Sequence, residues 1–156
     1  MKSNINKTTR LDELDAKIIN ELLDDAKTPL RTVATKLKVS FVTIMNRIKR
    51  LEQEGIIQGY TVKVNYEKLG YDVHVLIELR ISKGKLLELE RKIAEQPNVY
   101  TVFDVTGDVD AVIVGRFDST KAMDLFLKKI QAWDFVERTH TKLILHTIKQ
   151  GDIRIT

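Results

Sequence analysis

The chain has 156 residues, 43% of them apolar, with 26 Lys and Arg against 22 Asp and Glu for a net charge of +4. That is enough material for one packed domain or two small ones, and it excludes a disordered chain. There are no cysteines, which excludes disulfides, thiolate zinc sites and a cysteine nucleophile. No apolar run approaches the ~20 residues of a membrane span and no signal peptide is visible, so no membrane partner and a cytoplasmic location are expected.

After a polar lead, KSNINKTTR at residues 2–10, the first helical pattern runs through Leu11, Leu14, Ile18, Ile19, Leu22 and Leu23. Asp12, Glu13 and Asp15 fall in its first turn, where the helix dipole favours acids. The helix must end before Pro29, whose ring disfavours α conformation at Thr28 and suits the first turn of the next helix.

From Leu30 to Gly55 the spacing predicts a short helix, a tight turn and a longer basic helix. Val33, Ala34 and Leu37 form the first apolar stripe, Val39 sits in the turn, and Ile44, Ile48 and Leu51 form the second. Ser40 is placed to cap the second helix, and Gly55 follows its last stripe residue, where positive φ is needed. Opposite the stripe, Thr43, Asn46, Arg47, Lys49 and Arg50 are expected to face solvent. Two helices so tightly joined, the second basic outside and apolar inside, make a helix-turn-helix DNA reader.

The segment IIQGYTVKV after Gly55 reads as a short strand or wing, leading through a connector to Tyr71. There the period changes from helical to alternating, with Val73, Val75, Ile77, Leu79 and Ile81 on one strand face and His74, Glu78 and Arg80 on the other. A helix follows over Leu86, Leu89 or Glu90, and Ile93, ending near Pro97. Val99 to Thr106 and Val109 to Phe117 read as strands around a Gly107-Asp108 turn. A second helix covers Ser119 to Gln131 with Ala122, Leu125, Phe126 and Ile130 inward, and a last strand covers Phe135 to Ile148. Trp133 and Phe135 are expected in the core.

The order β-α-β-β-α-β specifies a ferredoxin-like sheet with both helices on one face. The other face cannot be wholly polar, because Val112 and Val114 oppose Ala111, Ile113 and Phe117, with Leu76 and Val102 as further contributors. A second copy in a two-fold dimer is the expected cover, and such a dimer would present two readers to a palindromic duplex site. The expected class is therefore α+β. Residues 1–58 form a helix-turn-helix (winged) domain, 59–70 a short strand and connector, 71–150 a ferredoxin-like domain and 151–156 a tail.

Charge follows this division. Residues 1–65 hold 12 Lys and Arg against 8 Asp and Glu, while residues 66–156 hold 14 of each. The excess sits on the helix-turn-helix and its flank, as a phosphate-binding surface requires. His74, His140 and His146 lack metal-ligand spacing, and Asp104, Asp108 and Asp110 do not form a calcium-loop pattern. No nucleophile motif and no phosphate-binding glycine loop is present, so neither an enzyme nor a cofactor or metal is expected.

Five segments in order, LDELDAKIINELLDDA, NRIKRLEQEGIIQGY, NYEKLGYDV, VTGDVDAVI and VERTHTKLIL, make the chain resemble the Lrp/AsnC family of prokaryotic transcriptional regulators from Leu11 to Lys149. The resemblance implies a C-terminal effector-binding domain of the RAM type, dimers that pair through their sheets and assemble into octamers, and a small effector, often an amino acid, bound between dimers. The recognition helix is then Ser40 to Glu54. Thr43, Arg47 and Arg50 would hold phosphates, with Lys49 beside them. Phe41, Val42 and Asn46 are the candidates for base contacts, Asn46 to adenine and Val42 or Phe41 to a thymine methyl, although Phe41 could equally be a staple against the first helix pair.

The chain departs from the family at Lys38, where the turn often has glycine, and at Phe41-Val42 after the cap. Positive φ at Lys38 would cost on the order of 1 kcal/mol. The effector set implied by the resemblance is Thr106, Gly107, Asp108 and Asp110, with Arg138, Thr139 and Thr141 from the last strand and Tyr100 in addition. Asp108 or Asp110 would take an ammonium, although Gly107-Asp108 also reads simply as a turn. Two other functions compete: an effector-independent DNA-wrapping architectural protein, and a haem-pathway decarboxylase-like enzyme supported only by the three histidines.

Overall fold

The computed structural model describes residues 11–82 and 86–156, the Leu86 side chain excepted. The polar lead at 2–10 and the inward place expected for Leu86 therefore lie outside the described residues. The chain divides into two compact units, one running through Lys63 and including Gln150–Thr156, the other spanning Val64–Lys149. No helix among the described residues is long and apolar enough to cross a membrane.

The first unit is built from α1 (Glu13–Asp24), α2 (Leu30–Leu37) and α3 (Phe41–Gln53). Ile18, Val33, Ala34, Ile44 and Ile48 form its buried centre, with Leu14, Leu22, Leu30, Leu37, Val39 and Ile57 packed around them. These are the stripe residues of three amphipathic helices, each too short to be stable without the other two. The expected wing does not form, because Ile56 to Val64 carries no strand. Its β-branched residues favour extension, but among the described residues no strand pairs with it, and the Ile56 and Ile57 amides instead donate to the Leu51 carbonyl at 2.9 and 3.1 Å.

The terminal stretch is not a loose tail. The Asn20 side-chain amide donates to the Ile155 carbonyl at 2.9 Å and its oxygen accepts from the Ile155 amide at 3.0 Å. The Arg154 guanidinium adds the Asn20 carbonyl, at 3.0 Å, and the Asp24 carboxylate.

The second unit contains β1 (Val73–Ile81), α4 (Leu86–Ala94), β2 (Val99–Asp104), β3 (Ala111–Phe117), α5 (Thr120–Gln131) and β4 (Val136–Leu143). The strands form one antiparallel sheet in the order β2-β3-β1-β4. Its helix-facing side buries Val75, Ile77, Leu79 and Ile81 of β1 and Ala111, Ile113 and Phe117 of β3 against Leu89, Ile93, Phe126 and Ile130. This is the βαββαβ arrangement that the change of period predicts, and the class is α+β.

Four expectations are corrected. A register shift between Val99 and Thr101 turns Val102 to the core and Phe103 to the open face, the reverse of simple alternation. Leu125 is 59% exposed because Ala122, Phe126 and Ile130 define a helical stripe from which it is rotated away. Phe135 is 37% exposed and lies outside the core, while Trp133 packs against it under the Lys92 ammonium. β4 ends at Leu143 rather than Ile148, and beyond it the Ile144 amide still bonds to the sheet, at the His74 carbonyl.

Two features of the second unit lead to measurable outcomes. A Cβ at Gly115 would stand 2.9 Å from the Asn98 carbonyl oxygen, which already accepts from the Arg116 amide at 2.8 Å. Gly115→Ala is expected to lower unfolding free energy by about 1–3 kcal/mol in a urea titration, because backbone must yield. His74 is buried with its Nε2 2.6 Å from the Tyr100 hydroxyl. Burial and the nearby Arg116 charge hold its pKa below the usual 6.5, against an opposing pull from Glu67. The unfolded chain then takes up the proton first, so this part of the stability is complete above pH 6.5 and is lost as pH falls. His74→Gln should flatten that portion of the pH–stability curve.

Candidate nucleic-acid interface and effector region

α2 and α3 are joined by three residues with separate tasks. Lys38 takes the left-handed conformation at φ 57° and donates its amide to the Thr35 carbonyl at 3.3 Å, while the Val39 amide reaches Ala34 at 3.0 Å. A lysine thus does what glycine does more cheaply at a helix C-terminus. Ser40 Oγ then accepts from the Thr43 amide at 3.0 Å and lies 2.8 Å from the Thr43 hydroxyl, so both hydroxyls belong to the cap of α3. At the far end Gly55, at φ 70°, closes the helix.

The two arginines of α3 are only partly open to solvent, at 29% and 38% side-chain exposure, because both turn toward α1. Asp15 on α1 is fully buried, and both its carboxylate oxygens are engaged by guanidinium groups. Arg47 Nη1 lies 3.1 Å from its Oδ1 and also pairs with Asp12, and Arg50 Nη2 pairs with its Oδ2. The same carboxylates form a reciprocal cap on α1, with the Asp15 amide donating to Asp12 at 2.9 Å and the Asp12 amide donating to Asp15 at 3.2 Å. The Asp15 amide, followed by Arg47, holds the Asp12 carboxyl below its usual range. The two acids in turn raise the Arg47 pKa. A buried carboxylate demands such partners, and Arg47 and Arg50 satisfy it before any phosphate is near.

What remains on the open side of α3 is Val42, Met45, Asn46 and Lys49, a helical stripe of its own, with Phe41 at the edge. Phe41 is 40% exposed and carries the Arg31 guanidinium 5.7 Å from its ring centre, so it is not a buried staple. Sequence reasoning missed Met45 and Arg31. The spacing of Met45, three residues after Val42, was the available signal. Arg31, Lys38 and Lys49 have no carboxylate partner among the described residues, and they surround the start and outer face of α3.

In the second unit β2 and β3 are joined by residues 105–110 rather than by a two-residue turn. Asp110 explains the early end of pairing: its amide donates to Leu79 of β1 at 2.9 Å and its carboxylate accepts from the Ile81 amide at 2.8 Å. It is a structural fastener. Gly107 takes φ 122°, and the Asp108 carbonyl accepts from Arg80 at 2.7 Å.

The candidate effector residues do not converge in a single chain. Arg138 stands opposite Arg80 on the open sheet face, whereas Thr139 and Thr141 face the helices, the former accepting from Gln131 at 2.6 Å. Tyr100 is bonded to His74, six residues along β1 from Arg80 and therefore roughly 20 Å away. Thr106 is exposed in the loop. The residues that do meet are Asp108 and Arg138, which with Glu78, Arg80, Val109 and His140 line a cleft of about 400 Å³. Glu78 is already satisfied by Lys142 and His140, and Arg138 has no partner among the described residues.

Asp15→Ala is expected to lower unfolding free energy by about 3 kcal/mol, since it strips two part-buried guanidiniums of their counter-ion. Thermal melts of the full chain will show it, and Glu13→Ala on the exposed side of the same helix serves as the neutral comparison.

Comparison with known proteins agrees with these two units. An AsnC-type helix-turn-helix domain matches residues 11–52, and an Lrp/AsnC ligand binding domain matches residues 74–153. An uncharacterized HTH-type transcriptional regulator of Pyrococcus furiosus is 43% identical over 145 residues, which span 93% of this chain and 97% of that one. The structure of AsnC from E. coli superposes with a TM-score of 0.85 at 28% identity, covering 94% of this chain and 99% of the other. A feast or famine regulatory protein of M. tuberculosis, solved in complex with L-methionine, superposes with a TM-score of 0.80 at 26% identity over 90% of this chain and 96% of its own. With both its domains matched and a 43% identical relative named as a transcriptional regulator, the chain belongs to the Lrp/AsnC family and is a DNA-binding transcriptional regulator, not an enzyme.

Proposed function

We propose that this regulator acts in the cytoplasm as a symmetric homo-oligomer on palindromic duplex sites, and that a small effector of the amino-acid class changes its assembly or its hold on DNA. The observation that carries the effector reading is the cleft beside the β2–β3 loop. Arg138 there offers an unpartnered guanidinium fork for a carboxylate, and Asp108 offers an acceptor for an ammonium. The solved relative in complex with L-methionine supports the same class.

Self-association is supported by the open face of the sheet. Leu76, Val112 and Val114 lie on it with Phe103, which is 54% exposed, on the side away from α4 and α5. An apolar strip on a sheet needs a partner, and a second copy is self-complementary by two-fold symmetry. Two α3 helices held by one body then read half-sites about one helical turn or a multiple apart.

The test is selection of bound DNA from a random pool, with and without a mixture of amino acids, followed by calorimetry with each amino acid on wild type and Arg138→Ala. A palindromic consensus whose occupancy responds to one amino acid is expected, with binding of that amino acid weakened at least tenfold by Arg138→Ala. A monomeric sedimentation profile at micromolar concentration sinks the assembly. No heat from any amino acid sinks the effector class.

A further inference from the structure

The composition of α3's open face narrows what it can read. Val42 is 54% exposed and Met45 43%, Asn46 lies one turn after Val42 on the same stripe, and Lys49 follows one turn after Met45. The helix has two arginines, and both are drawn aside by Asp12 and Asp15. Arginine's fork is the usual reader of guanine, through O6 and N7, and no guanidinium of α3 is on this face. Branched methyls and a thioether cannot satisfy those acceptors, but they match the one apolar group in the major groove, the thymine C5-methyl. Asparagine's amide matches adenine N6 and N7.

We propose that α3 selects its half-site through thymine methyl groups packed against Val42 and Met45, with Met45 a specificity-determining residue, and through adenine held by Asn46. The stretch of half-site beneath α3 is then composed of A·T pairs, and guanine contributes nothing at those positions. This rests on the DNA-binding reading of α3. A protein groove is the other partner an exposed apolar helix face could take. Nucleic acid is favoured because the face is bordered by Arg31, Lys38 and Lys49, none with a carboxylate partner among the described residues.

The experiment uses the full chain and a site selected from a random pool. Each half-site thymine is replaced in turn by deoxyuridine, which removes only the methyl, and each guanine by 7-deazaguanine. Affinities are read by fluorescence anisotropy for wild type, Val42→Ala and Met45→Ala. Burying one methyl is worth a factor of about four, so uracil at one or two positions should weaken wild type about fourfold each per half-site. Met45→Ala should abolish the loss at one position and Val42→Ala at another, while 7-deazaguanine beneath α3 changes nothing. Wild-type binding indifferent to uracil, or dependent on guanine N7 beneath α3, overturns the proposal while leaving the regulator's DNA binding intact. Absence of any sequence-selective binding overturns the α3 reading itself, and the proposal with it.

Discussion

A carboxylate that has lost all contact with water sits between the first and third helices, and the reading head is arranged around it. Leaving Asp15 charged and buried is tolerable only if cations and amides replace its hydration, and Arg47, Arg50 and the Asp12 amide do so. The network is directional where apolar packing is not. Ile18, Ile44 and Ile48 would tolerate some sliding of α1 along α3, but two guanidiniums converging on one carboxylate fix the register. The same contacts decide the surface chemistry of α3, because each arginine that satisfies Asp15 is one fewer on the helix's open side.

Much of this was legible in the sequence, and the misses share a cause. The helical stripes, the Ser40 cap, the positive φ at Lys38 and Gly55, and the alternating face of β1 are local consequences of backbone geometry and solvent. What failed depended on partners distant in sequence. Arg47 and Arg50 look like solvent-facing cations until α1 is placed beside them. Val102 and Phe103 exchange faces because of one bulge, which no periodicity announces. Asp110 resembles a ligand residue in a loop, and the Ile81 amide that one of its carboxylate oxygens accepts from, on β1, gives it a second task that spacing does not show. The β-rich segment after Gly55 has the propensity of a strand without a neighbour to pair with.

The effector set shows how strand alternation limits such transfers. Arg138, Thr139 and Thr141 are close in sequence, but a period of two sends Arg138 to the open face and the threonines to the helix side. A resemblance can carry residues over by position while their directions must come from the sheet. On the open face, by contrast, the Glu78 carboxylate pairs with Lys142 and hydrogen-bonds to His140, which leaves Arg138 with capacity to spare.

The clasp of residues 154–155 on Asn20 and Asp24 also bears on how the molecule is made. It makes the DNA-binding unit discontinuous in sequence, with the whole sheet domain inserted between its two pieces. Chains fold largely in the order they are synthesised, and helices α1 to α3 can dock early because their contacts are local. Closure of the clasp must wait until more than a hundred further residues have left the ribosome. A reading head finished last has its final contacts formed only on chains translated through to residue 155.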